Sequence, residues 1–194
     1  GYNVVIGSAS FQAAANDENR NVVIGYSAGA GIVATASDSN VIIGMEAGTG
    51  GGAIMQDCII MGDNAFADTA ATAQYGAVAI GYQALGAGTL TGDENVFIGQ
   101  QAGKNADAAA GNVGVGQKAA SGITSGVRNA VFGYEVGGSI TTGSYNTFIG
   151  ASVGANTTVG NYNVAMGEGA LYTNVDGDYN TAIGEGGLQL LTTG

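Results

Sequence analysis

A pentamer that returns every 17 to 19 residues constrains this chain more than any other feature. It begins at Asn3, Asn21, Asn40, Cys58, Ala77, Asn95, Asn112, Asn129, Asn146, Asn163 and Asn180, with a strict spacing of 17 from Asn95 onward. The segments NTFIGASVGANTTVGNY (146–162) and NVAMGEGALYTNVDGDY (163–179) show the unit at its most regular. Self-similarity at a fixed period of this size marks a solenoid, in which each unit buries apolar surface only by stacking on its neighbours. The repeat overrides the default of one globular domain for 194 residues. Residues 1–194 read as a single repeat array, expected to belong to a longer fibrous protein because both ends lie at the same phase of the repeat (Gly1-Tyr2-Asn3 and Leu191-Thr192-Thr193-Gly194).

Counting the repeat Asn as position 0, position +3 is always large and apolar, +1 is mostly Val, and +4 is Gly in every copy. Residues two apart share a strand face. Val, Ile, Phe and Thr suit strands, and Gly ends them in a turn. Each copy therefore carries one short strand with +1 and +3 on one face. Position +7 is mostly Ala, as a narrow place between closely stacked coils requires. A second, weaker strand is expected around Ile140–Thr142 and Thr157–Val159, so that two strands and two Gly turns make one coil. A helical reading of Ala106–Ala110 fails, because Gly every few residues costs about 1 kcal/mol each inside a helix. Coils stacked at about 4.8 Å would give a rod roughly 50 Å long. The extra residues of the early copies, such as Asp17-Glu18-Asn19-Arg20, are expected in surface loops.

Two further columns bear on assembly. Asn at position 0 (Asn95, Asn112, Asn129, Asn146, Asn163 and Asn180 in the regular half) suits a side-chain amide ladder along the rod. Position +2 lies on the face opposite +1 and +3, yet it is never polar. A strand with one wet face should alternate, so both faces are expected to be covered. The coil core is then assigned to Ile98, Val115, Phe132, Ile149, Met166 and Ile183, and a subunit interface to Phe97, Val131, Phe148, Ala165 and Ala182. A parallel homotrimer is the expected assembly, which Val131→Asp with Phe148→Asp should dissociate. Parity alone does not orient the strand, so +2 facing the coil lumen stays open.

Composition removes most chemistry. The chain has no His, no Pro and no Trp, a single Cys and a net charge of -11. Without His, Ser-His and Cys-His nucleophiles and His metal sites cannot be built, and no enzyme activity is expected. A field of this sign argues against nucleic acid or an anionic membrane surface as partner, and no apolar run is long enough to span a bilayer. Cys58 stands where Asn is usual and reads as a small residue in a stacked column. Gly114 to Ala119 matches GxGxxA but is the repeat itself, outside any βαβ context. Gly99 to Lys104 has the wrong spacing for a phosphate loop. Turn carboxylates (Asp17-Glu18, Asp93-Glu94, Asp176, Asp178) could hold Ca²⁺, but they do not recur in register, and a solvated face is the preferred reading. Tyr2, Tyr145, Tyr162 and Tyr179 precede Asn, and Tyr26, Tyr82 and Tyr134 follow the Gly turn. Stacked tyrosines that stiffen the rod are favoured over a carbohydrate-binding row.

The pentamers AVAIG (77–81), NVVIG, NVFIG and NTAIG resemble the head repeats of trimeric autotransporter adhesins. The longer GNYNVAMGEGALYTNVDGDYNTAIGEGGL (160–188) is more similar to the YNTAIG arrays of phage tail fibres. The resemblance implies a parallel β-solenoid of left-handed coils, assembled as a trimer. The 17–19 residue period, longer than the usual adhesin-head repeat, departs from it. As function it implies a rigid fibre or shaft segment of a virion tail fibre or similar extracellular appendage, with contact to a host-surface carbohydrate or protein receptor. The alternatives are the head or stalk of a bacterial cell-adhesion protein, or the subunit of an extracellular filament grown by end-to-end stacking. Flanking sequence separates the first two: a self-cleaving chaperone favours the fibre and a membrane-anchor barrel the adhesin.

Overall fold

The computed structural model describes residues 1–12, 18–32, 37–50, 54–67, 73–87 and 90–191; Asp17 and residues 192–194 lie outside that set. The architecture is an all-β parallel solenoid. Its main sheet has eleven strands: β1 (Val4–Ile6), β2 (Val22–Ile24), β3 (Val41–Ile43), β5 (Ile59–Met61), β7 (Val78–Ile80), β8 (Val96–Ile98), β9 (Val113–Val115), β10 (Ala130–Tyr134), β11 (Thr147–Ala151), β12 (Val164–Met166) and β13 (Thr181–Ile183). Each strand pairs in parallel with that of the next coil, and equal repeat positions face each other, as in Val131↔Phe148 and Ala165↔Ala182. A two-stranded accessory sheet pairs β4 (Met55–Gln56) with β6 (Gln74–Tyr75).

Turns fix the strand length. From the second coil on, positions −1, +4, +6 and +8 all have positive φ, for example Tyr162 (56°), Gly167 (117°), Gly169 (64°) and Leu171 (50°). The +4 glycine is required twice over. Its φ, between 108° and 143° along the rod, lies where a Cβ is not tolerated. A methyl added at Gly81 would also stand 2.6 Å from the carbonyl oxygen of Gly99 in the next coil.

The interior corrects the orientation expected from sequence. Position +2 points inward: Phe97, Val131 and Phe148 are fully buried, and Ala165 and Ala182 nearly so. They are core residues, not an interface on the outside of the coil. The residues assigned to the core face outward instead: Ile98, Val115 and Ile149 are half-buried, while Phe132 (39%), Met166 (43%) and Ile183 (70%) are exposed. The physical reason is that position 0 shares parity with +2. An amide ladder is worth most where water cannot compete for it, and both columns lie on the buried face.

The lumen is filled by +2 and +8, with +11 completing it, and their sizes compensate. Large Phe97 and Phe148 are matched by Gly103 and Gly154, where a Cβ would lie 2.5 Å from the ring. Small Ala79 and Ala165 are matched by buried Leu85 and Leu171. Val131 and Gly137 are completed by Ile140, and Gly114 is small because Phe97 of the preceding coil lies against it. The +7 alanines from Ala28 to Ala119, together with Ala170, are fully buried, as expected of close stacking.

The expected second strand at Ile140–Thr142 and Thr157–Val159 does not form. The amides of Thr141, Thr142 and Gly143 all converge on the carbonyl of Thr158, at 2.9, 3.3 and 3.3 Å. Three donors on one acceptor make a turn, not a ladder. One strand per coil is the rule.

Candidate interaction surface

Two features of the rod can do something beyond holding it together: the outward sheet face and the polar columns beside it. Along the sheet, +1 and +3 present two columns of side chains that contain no charge, eleven coils deep. Val4, Ile6, Ile59, Met61, Phe132, Val164, Met166 and Ile183 are the most exposed of them. A large, mostly apolar stripe of this kind, interrupted only by Thr147 and Thr181, is the mark of an interaction site. The residue column after the Gly turn (+5) is mixed: exposed Tyr26, Met45, Tyr82 and Tyr134 alternate there with polar residues such as Asp63, Gln100, Glu168 and Glu185.

On the buried side of the strand the asparagines form the expected ladder. Asn146 Oδ1 accepts from the backbone N–H of Asn163 (2.9 Å) and from its Nδ2 (3.1 Å), and Asn146 Nδ2 donates to Asn129 Oδ1 (3.0 Å) and to the Gly160 carbonyl (2.8 Å). The same arrangement runs from Asn95 through Asn112, Asn129, Asn146 and Asn163 to Asn180. Asn3, Asn21 and Asn40 form a shorter ladder. Between the two, Cys58 N–H still donates to Asn40 Oδ1 (3.0 Å), and its thiol lies 3.7 Å from the Gln74 carbonyl. Burial pushes the thiol up to about 11, despite hydrogen bonds to the backbone at Ala77 and Gln56 that act the other way. Cys58 is therefore an unreactive thiol at neutral pH.

Position −1 faces solvent and carries the tyrosine pile. Tyr145 and Tyr162 stack with centroids 4.9 Å apart, and Tyr162 and Tyr179 with centroids 5.0 Å apart, all nearly parallel. Arg128 continues the pile, its guanidinium carbon 5.6 Å from the Tyr145 ring centre and Nη1 donating to Tyr145 Oη at 2.7 Å. Ring faces in this pile are spent on one another, which supports stiffening and leaves little face for a sugar.

The turn carboxylates are structural caps. Asp38, Asp93 and Asp178 accept backbone N–H groups of Asn19 (2.7 Å), Tyr75 (3.1 Å) and Asn161 (2.6 Å) in the preceding coil. Among the described residues no group of three or more acidic, His or Cys side chains is placed to hold a metal ion. Gly114 lies within β9 as the repeat requires. No described helix is long and apolar enough to cross a membrane.

Comparison with known proteins returns no matching family model, no matching curated protein and no matching solved structure. The reading of this chain rests on its own geometry.

Proposed function

We propose that this solenoid is a stiff structural segment of a tail fibre or similar extracellular appendage, working as a parallel homotrimer. The observation that carries this is the uncharged, mostly apolar face formed by the +1 and +3 columns, broken only by Thr147 and Thr181. The coil has its own full core, so this face is not needed for folding the single chain. Eleven coils at about 4.8 Å and a width of 10–15 Å give on the order of 600 Å² per chain, as large as the largest patch an ordinary monomer exposes. A copy of the same chain fits best, because its face repeats with the same period and meshes coil for coil. Three such faces turned toward a common axis remove them all from water at once. The turn carboxylates then stay outside, where their charge keeps the fibre soluble.

Native mass spectrometry or light scattering tests this. The expected mass is three times 18.9 kDa. Ile98→Asp with Ile149→Asp, both on the outward face, should reduce it to a single chain with unchanged circular dichroism. A wild-type chain that stays single at all concentrations overturns the assembly. Raised salt should tighten it, because net charge of -11 per chain makes the copies repel.

A further inference from the structure

The pile at position −1 has a missing rung. Below it stand Arg128, Tyr145, Tyr162 and Tyr179; above it stands Glu94; between them the residue is Gly111. A Cβ placed on Gly111 would meet only Arg128 Cγ, at 3.5 Å. The vacancy opens into a surface notch of about 550 Å³ lined by Gly111, Arg128, Val127, Thr91, Asp93 and Glu94. Arg128 and Glu94 are two coils apart, about 9.6 Å, which leaves room for one flat ring between them. The Arg128 guanidinium lies over the Tyr145 ring and donates to its hydroxyl. Arg128 also lines the notch. At the opposite side Glu94 and Asp93 add two carboxylates, that of Asp93 held by the Tyr75 amide at 3.1 Å.

We propose that this notch binds a small aromatic amine. Its ring takes the place of the missing rung and stacks on the Arg128 guanidinium, a contact that arginine makes well with aromatic faces. Its ammonium group pairs with Glu94 and Asp93. A sugar is disfavoured, because no aromatic face is open in the notch. The rod offers an internal control: Gly76 is also a −1 glycine, with the same φ of 64°, but it lies between Asp57 and Glu94 and has no guanidinium beneath it. The inference does not depend on the assembly proposed above.

Titration of the whole chain with tyrosinamide, read by backbone amide shifts, tests it. Binding should saturate at one per chain and move the signals of Gly111, Val127 and Arg128. Gly111→Tyr should weaken it by about tenfold or more, because the chain's own ring then fills the rung. That variant should fold, since Tyr145, Tyr162 and Tyr179 hold the same position at φ of 60°, 56° and 58°. Arg128→Gln should also weaken binding by about tenfold, and so should exchanging the probe for N-acetyltyrosine, which carries a carboxylate and no ammonium. Tyr179→Ala, three coils beyond Arg128, should change nothing. Absence of saturable binding, or wild-type binding by Gly111→Tyr or Arg128→Gln, overturns the proposal.

Discussion

The first five coils and the last six are built on the same plan and held together differently. From Asn95 onward the spacing is a strict 17, and the Asn and Tyr columns meet their own image one coil away: asparagine on asparagine, tyrosine on tyrosine. Thr124, Thr141 and Thr158 each donate to the carbonyl one coil on. Before Asn95 the spacing is 18 or 19, and the ladder lapses at Cys58 and Ala77. There the accessory strands β4 and β6 add backbone pairing, and Gln74 Nε2 reaches the Leu90 carbonyl at 2.7 Å, much as an Asn would. Self-pairing survives a change of period, as Asn3, Asn21 and Asn40 show at spacings of 18 and 19, and lapses only where the residue itself changes.

Core and ladder substitutions should separate the regions most. Phe148→Asp places a charge in the filled lumen of the regular half and should abolish its cooperative unfolding, a loss of more than about 4 kcal/mol. Ile149→Asp, one residue along on the outward face, should keep the fold; loss of circular dichroism there would reverse the orientation of the strand. Asn129→Ala removes the acceptor for Asn146 and the donor to Gly143 and Asn112. It should cost about 3 kcal/mol in chemical denaturation. Cys58→Asn should instead gain about 1 kcal/mol, by extending the short ladder one rung toward Ala77. If both gave the same small change, the ladder would not distinguish the halves.

Two smaller effects sharpen the contrast. Cys58 should resist alkylation in the folded chain at neutral pH. Its thiol is raised from 9.0 to about 11 on folding, so the folded state favours the protonated form. That stability is complete below pH 9 and is lost as the pH rises toward 11, and Cys58→Ala should remove this part of the alkaline decline. Smallest of all, Lys118→Ala breaks an exposed pair with Glu135 (2.8 Å) and should leave the denaturation midpoint essentially unchanged, because solvent screens the pair.

Much of this was legible in the residues. Strand, turn and ladder follow directly from NVFIG-type pentamers, because Gly at +4 and Asn at 0 have few other uses. The side facing inward was not, because apolar residues on both faces erase the alternation that orients a strand. The readable signal lay in size: Phe97 with Gly103, and Ala165 with Leu171, vary together as lumen neighbours must, while Ile98 and Ile149 have no such counterpart. The notch at Gly111 was invisible, since a glycine in a glycine-rich chain stands out only when its column is seen from the side.

Every backbone hydrogen bond between coils points along the rod. Tension applied at the two ends therefore loads these bonds one coil at a time, as in opening a zip, and not all together. Each coil that lets go releases 17 to 19 residues, up to about 60 Å of slack. Such a rod is expected to yield lengthwise in discrete steps, so that in the proposed role of a spacer it would also absorb shock.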